Sequence, residues 1–85
     1  MKGKMKVKSK ITVYSTPACP YCHMVKEFLS GKGVKFESLD VSADGEAAER
    51  MIKKSGFTGV PQIEINGKTI VGFDRTALER ELKNL

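Results

Sequence analysis

Apolar residues in the first half of the chain follow the spacing of a strand, a helix and a second strand. From Ile11, the run ITVY is typical of a short buried strand, and the turn-forming Ser-Thr-Pro sequence ends it. A helix is predicted from Pro20 until the glycines at 31 and 33, because proline suits a first helical position and glycine a helix end. Its buried face comprises Val25, Phe28 and Leu29, at the spacing i, i+3, i+4. The segment VKFESLDV, residues 34–41, predicts a second strand, parallel to the first and joined to it by a right-handed crossover.

The middle of the chain predicts a second helix between two residues suited to its ends. Asp44 is a suitable N-cap, and Gly56 suits the position just after the C-terminus. The inner face of this helix is expected to carry Ala48, Met51 and Ile52.

A β-hairpin is the strongest local prediction. The Asn66-Gly67 pair separates PQIEI from KTIVG and favours a two-residue type I′ turn. Ile63 and Ile65 are expected to share one face of the first hairpin strand, which leaves Gln62 and Glu64 on the other.

A final helix carries three leucines at helical spacing, which are Leu78, Leu82 and Leu85. It starts either at Asp74 or at Thr76, which would form a capping box with Glu79. The predicted fold class is therefore α/β, with a four-stranded mixed sheet flanked by three helices.

Length and charge indicate one domain with a basic leading segment. The chain has 85 residues and a net charge of +5, and five of its 15 positive charges lie within residues 1–10. A chain of this length forms one domain, predicted over residues 11–85. These residues balance at ten positive and ten negative charges, so the excess charge lies in the leading segment. The leading segment is expected to be a solvated tail or a protected edge. Binding of nucleic acid is not favoured, because no aromatic residues are interleaved with the lysines.

The sequence contains no apolar run of the roughly 18 residues that a membrane-spanning helix needs. The basic start is not followed by the apolar core and cleavage site of a secretory signal. We therefore expect a cytoplasmic protein with no membrane association, and a monomer.

The stretch ACPYCH, residues 18–23, contains both cysteines and the single histidine, and its spacing fits three kinds of site. Attachment of haem to Cys-x-x-Cys-His is disfavoured in the cytosol. A structural zinc site takes four ligands, and the chain offers three Cys and His residues. A redox dithiol needs only the two cysteines. Cys-x-x-Cys near a strand–helix–strand unit is typical of thioredoxin-like proteins.

In the redox interpretation, the two cysteines have different tasks. Cys19 precedes the helix, where free backbone N–H groups and the helix dipole favour a thiolate, so it is the expected nucleophile. Cys22 lies one turn further and is the expected resolving thiol. His23 is either a general base or an exposed helical side chain, and the second interpretation is favoured. Tyr21 is expected to point outward, where it can contact a substrate. Since most X-Pro bonds are trans, the residues alone predict a trans bond before Pro61.

Three motifs together give a specific resemblance. They are Cys-Pro-Tyr-Cys, then Gly-Val-Pro-Gln-Ile about 40 residues later, and Gly-Phe-Asp after the hairpin. In this combination, the chain from Ile11 to Leu82 resembles the small bacterial glutaredoxins. The resemblance implies a thioredoxin fold with sheet order 2-1-3-4 and an antiparallel last strand. It also implies a thiol–disulfide oxidoreductase with no tightly bound cofactor, which uses glutathione and acts on protein disulfides such as that of ribonucleotide reductase.

The resemblance further implies a glutathione site, and it reverses the prediction for Pro61, since the matching proline is cis in the family. The backbone of Val60 is expected to pair with the cysteinyl part of glutathione, with Tyr21 alongside. The loop that takes the γ-glutamyl end comprises Gly72, Phe73 and Asp74.

This sequence departs from the family pattern at three positions. Thr16 stands where the family commonly has a lysine that helps to hold glutathione, Val71 replaces a glycine, and Arg75 replaces an aspartate. The Gly-Phe-Asp loop also resembles the loop of NrdH-type redoxins, which take electrons from thioredoxin reductase. An iron–sulfur cluster-binding glutaredoxin is a further alternative, and Pro20 disfavours it.

Overall fold

The computed structural model describes residues 11–83. The basic segment 1–10 and the predicted helical Leu85 lie outside the described residues. The elements in chain order are β1 (Ile11–Ser15), α1 (Pro20–Gly31), β2 (Glu37–Asp40), α2 (Gly45–Ser55), β3 (Gln62–Ile65), β4 (Lys68–Val71) and α3 (Arg75–Lys83). No helix in this range is long and apolar enough to cross a membrane.

The four strands form one mixed sheet in the order β2-β1-β3-β4, as predicted. The β1–β2 pair is parallel, whereas the β1–β3 and β3–β4 pairs are antiparallel. Tyr14 is paired with Gln62, so the C-terminal end of β1 lies beside the N-terminal end of β3. The loops that leave β1 and enter β3 therefore meet at one edge of the sheet.

Alternate residues of β1 face two separate apolar clusters. Val13 lies in the larger cluster with α1 and α3, which includes Val25, Leu29, Ile63 and Leu78. On the opposite face of the sheet, Tyr14 packs with Ala47 and Met51 of α2. The helices thus cover both faces, and the period-two alternation of β1 serves both cores.

The predicted start of β2 and the predicted inner face of α2 are wrong. β2 begins at Glu37 rather than at residue 34, because its pairing with β1 starts at Thr12 and Glu37. Val34 and Phe36 are still partly buried against the main cluster. In α2, Ile52 is 40% exposed. Its buried positions are Ala47 and Met51, so the inner face is rotated from the one predicted.

The predicted caps and turns are confirmed. The carboxylate of Asp44 accepts hydrogen bonds from the amides of residues 46 and 47, and Gly56 ends α2 in the left-handed conformation. Asn66 and Gly67 both have positive φ angles, 55° and 75°, as a type I′ turn requires. Of the two starts proposed for the last helix, the structure has Asp74, whose carboxylate accepts the Ala77 amide at 3.1 Å.

Candidate active site

Cys19 occupies the N-cap of α1, between the loop that leaves β1 and the first helical turn. Its backbone is extended, with φ −93° and ψ 112°, and Pro20 follows at the first helical position. The Cys22 amide donates a hydrogen bond to Cys19 Sγ at 3.2 Å. The sulfur thus takes the place that a capping oxygen has in other helices, and negative charge on it is stabilised there.

Cys22 lies within hydrogen-bonding reach of Cys19 but in a different environment. It is fully buried, whereas Cys19 is half-buried, and both are free thiols. Burial, followed by the side-chain hydrogen bond with Cys19, raises the pKa of Cys22 to about 11, against a weaker opposing effect of the Thr16 backbone. Cys22 therefore keeps its proton at neutral pH, and the two thiols are chemically unequal.

The Val60–Pro61 peptide lies across from the thiol and is cis. The prediction from residues alone was wrong, and the resemblance to glutaredoxins gave the correct isomer. The Val60 carbonyl oxygen is 3.9 Å from Cys19 Sγ. Two segments 41 residues apart in sequence meet at this point, since β1 and β3 are antiparallel neighbours.

The loop after β4 is attached to the same place. The Gly72 amide donates to the Pro61 carbonyl at 2.8 Å, and Gly72 has a φ of 88°, which favours glycine. Asp74 then caps α3. The structure therefore attaches Gly72 to the 60–61 segment beside Cys19, and Phe73 and Asp74 follow in the same loop.

An open groove lies on the outer side of this loop. Phe73 packs edge-to-face on Phe28, with ring centroids 6.0 Å apart, and the guanidinium of Arg75 lies 5.5 Å from the Phe28 centroid. The groove has a volume of about 330 Å³ and is completed by Met24 and Glu27. Arg75, one of the departures from the family pattern, thus borders the surface beside the 72–74 loop.

The remaining predicted residues surround the start of α1. Tyr21 points outward and is 60% exposed, as expected. Thr16 is half-buried, and its carbonyl accepts the Cys19 amide at 3.3 Å. His23 is exposed, and its Nε2 lies 2.9 Å from the Pro17 carbonyl. Since a carbonyl oxygen only accepts, Nε2 donates in this contact and is not available as the base.

Sequence reasoning missed one polar residue beside the site. Gln62 lies on the face of β3 opposite Ile63 and Ile65, as predicted, but its side chain is fully buried and donates to the carbonyls of Phe57 and Gly59. The available signal was a long polar side chain directly after Pro61, at the start of a strand. Among residues 11–83, no group of three or more His, Cys, Asp or Glu side chains is arranged to hold a metal ion.

A helix-capping cysteine, a buried partner thiol one turn later and a cis-proline across from them define a thiol–disulfide oxidoreductase of the thioredoxin fold. The family model that describes glutaredoxin matches residues 11–70. The chain is 44% identical over 66 residues to glutaredoxin 3 of Escherichia coli (strain K12). The match covers 78% of this chain and 80% of glutaredoxin 3. The chain belongs to the glutaredoxin family.

Solved structures agree on the fold. A glutaredoxin from Archaeoglobus fulgidus superimposes with a TM-score of 0.81 at 22% identity and covers 98% of this chain and 96% of its own. NrdH-redoxin from Escherichia coli, described as a glutaredoxin-like protein with a thioredoxin-like activity profile, gives a TM-score of 0.76 at 30% identity. That match covers 84% of this chain and 92% of NrdH-redoxin.

Proposed function

We propose that this protein is a cytoplasmic, glutathione-dependent reductase of protein disulfides and glutathione mixed disulfides, with residues 11–85 as its catalytic domain. Cys19 is the nucleophile and Cys22 the resolving thiol. The observation that carries the proposal is the position of Cys19 Sγ, which accepts the Cys22 amide and lies 3.9 Å from the Val60 carbonyl. The half-buried Cys19 is open to a substrate, and the fully buried Cys22 is not.

The reaction has two sulfur exchanges. The Cys19 thiolate attacks one sulfur of the substrate disulfide, forms a mixed disulfide, and releases the other sulfur as a thiolate that takes up a proton. Cys22 then loses its proton and attacks Cys19 Sγ, which closes the Cys19–Cys22 disulfide and releases the second substrate thiol. Two glutathione molecules restore the dithiol and leave as glutathione disulfide. With a glutathionylated substrate, a second glutathione can instead attack the mixed disulfide directly.

The unequal thiols support this order of events. Part of the increase in the pKa of Cys22 comes from its hydrogen bond with Cys19 and from the charge of Cys19. Both contributions weaken once Cys19 is bound in a mixed disulfide, whereas the contribution of burial remains. Cys22 therefore gives up its proton more readily after the first exchange than before it.

Glutathione would lie across the loops that meet at Cys19. Its cysteinyl backbone pairs with Val60, next to Pro61, and Tyr21 and Thr16 flank the sulfur. Its γ-glutamyl carboxylate meets the free amides at the start of α3, in the loop formed by Gly72, Phe73 and Asp74. The hydrogen bond from the Gly72 amide to the Pro61 carbonyl supports this placement, because it keeps the two halves of the site together.

A second candidate is an NrdH-like redoxin that thioredoxin reductase reduces. Thr16 supplies no cation beside the thiol, and Arg75 lies on the groove next to the 72–74 loop. NrdH-redoxin itself has a TM-score of 0.76 with this chain. In this candidate the chemistry at Cys19 and Cys22 is the same, and only the electron donor differs. Ribonucleotide reductase is a candidate protein substrate in both cases.

The deciding experiment measures NADPH consumption with one disulfide substrate in two systems, glutathione with glutathione reductase, and thioredoxin reductase alone. We expect turnover with glutathione. Turnover only with thioredoxin reductase would refute the glutathione proposal and favour the NrdH-like alternative. Cys19→Ser is the control that removes turnover in both systems, because no other thiol can form the first mixed disulfide.

A further inference from the structure

The segment that presents Val60 to the thiol lies outside the helices and strands. Residues 57–60 connect Gly56, which ends α2, to Pro61. Phe57, Thr58 and Gly59 are exposed, and Val60 is half-buried. The location of the Val60 backbone relative to Cys19 therefore depends on the side-chain contacts that hold this segment.

Gln62 bonds two carbonyls of this segment, and the Ser55 hydroxyl bonds Phe57 at its far end. Gln62 is the first residue of β3, and its relative exposure is 0%. Its Nε2 donates to the Phe57 carbonyl at 3.1 Å and to the Gly59 carbonyl at 2.7 Å. An amide nitrogen has two protons, so both are used to close the 57–59 turn.

The other end of the same amide is not satisfied. Gln62 Oε1 is buried and has no hydrogen-bond partner among residues 11–83. An unpaired buried acceptor costs stability, and an apolar side chain of similar shape would avoid that cost. The contribution specific to glutamine at this position is therefore its pair of donors.

We propose that Gln62 is a positioning residue for the reaction at Cys19. Its amide fixes the 57–59 turn on one side of Val60, and the Gly72 amide holds Pro61 on the other side at 2.8 Å. Gln62 thereby determines the position of the Val60 backbone, which pairs with the peptide backbone of a disulfide substrate such as glutathione disulfide. This inference rests on the pairing of Val60 with the cysteinyl backbone in the proposed function.

The test compares Gln62→Met, which keeps the length of the side chain and removes both donors, with Tyr14→Phe as the matched control. Tyr14 is paired with Gln62 across the sheet, and its hydroxyl donates to Glu64 at 3.3 Å. Tyr14→Phe removes this part-buried hydrogen bond and keeps the aromatic ring, which belongs to the apolar cluster that Val60 packs against.

Each pre-reduced protein is mixed rapidly with glutathione disulfide or with bis(2-hydroxyethyl) disulfide, which has no peptide backbone. For Gln62→Met, we expect the rate with glutathione disulfide to fall about tenfold, chiefly because a higher concentration of this disulfide is needed for saturation. The rate with the small disulfide should stay within about twofold of the wild-type rate. Tyr14→Phe should change neither rate. An equal loss with both disulfides, or no loss with glutathione disulfide, overturns the inference.

Amide hydrogen exchange and backbone carbonyl resonances separate this inference from the proposed function. If the wild-type protein does not prefer glutathione disulfide, the proposed function fails, and Gln62 is then judged by its own side-chain amide and by the backbone of residues 57–60. Gln62→Met must shift the backbone carbonyl resonances of residues 57 and 59, whose oxygens accept from Gln62, and Tyr14→Phe must leave them unchanged. In the wild-type protein, which needs no variant to fold, the Gln62 side-chain amide must exchange far more slowly than an exposed glutamine. Exchange at the exposed rate overturns the inference.

Discussion

The buried position of Cys22 gives a quantitative prediction for the rate at which the Cys19–Cys22 disulfide closes. The pKa of Cys22 is raised from an ordinary 9.0 to about 11, first by burial and then by its hydrogen bond with Cys19. At pH 7, the thiolate fraction is then about 10⁻⁴ instead of about 10⁻². A more basic thiolate is a better nucleophile, and a Brønsted slope of about 0.4–0.5 restores roughly six- to tenfold. If this pKa held in the mixed disulfide, the closing step would be about tenfold slower than with an ordinary thiol, and the loss of the Cys19 interactions there makes tenfold the upper limit.

The same argument predicts how the closing step responds to pH. Because the proton must leave Cys22 first, the rate should rise nearly tenfold per pH unit between about pH 7 and 9. The loss of the Cys19 interactions in the mixed disulfide lowers the pKa of Cys22 from about 11, but burial, the largest cause, keeps it above the ordinary 9.0. The increase should therefore continue to the end of that range.

The assay mixes reduced protein with glutathione disulfide and stops the reaction with acid at short intervals. Mass spectrometry then separates the glutathionylated protein from the protein with an internal disulfide. Cys22→Ser is the control, and it should accumulate the glutathionylated form at every pH while still releasing it to added glutathione. A closing rate that rises less than about thirtyfold between pH 7 and 9 would refute the reasoning, because even a thiol with an ordinary pKa of about 9 gives a rise of about fiftyfold.

Three further predictions concern binding and stability. Thr16→Lys should lower the KM for glutathione about tenfold in the glutathione reductase assay, since one added cation beside a carboxylate contributes about 1–2 kcal/mol. An unchanged KM would mean that no carboxylate of glutathione lies near residue 16. Hydrogen bonds from Asn66 and then Lys68 lower the pKa of Glu81 below its ordinary 4.5, so wild-type stability should fall as the pH drops through and below that value. Glu81→Gln should show a flatter dependence of the urea midpoint between about pH 6 and 3, and parallel curves would contradict the linkage. Asp44→Ala should reduce the free energy of unfolding in urea by about 1 kcal/mol, whereas Asp44→Asn should retain most of it.

The elements that the sequence predicted well are those with a local cause. The Asn66-Gly67 turn follows from the preference of these residues for positive φ, and both ends of α2 follow from the residues that cap it. Ile52 was assigned to the wrong face because helical spacing leaves the rotation of a short helix undecided. Packing against Tyr14 selects Ala47 and Met51 instead.

The site was predictable in proportion to how much of it is local. Cys19 and Cys22 share one helix turn, so their unequal environments follow from the position of Pro20. The cis bond before Pro61 required the family resemblance, because local preference favours trans. The position of Gln62 after Pro61 could have drawn attention to its side chain, but not to its partners, which are backbone carbonyls that every residue carries.

The antiparallel pairing of β1 with β3 also determines when, during synthesis of the chain, the two halves of the site can come together. Synthesis proceeds from the N-terminus, so Cys19 emerges 41 residues before Val60. Until β3 is made and aligned with β1, no Val60 carbonyl faces the thiol, and Ile63 and Ile65 are missing from the core that α1 packs against. The nascent chain therefore displays both cysteines before the Val60 backbone can lie beside them. If Val60 pairs with the substrate backbone as proposed, that pairing becomes available only when the second half of the sheet is complete.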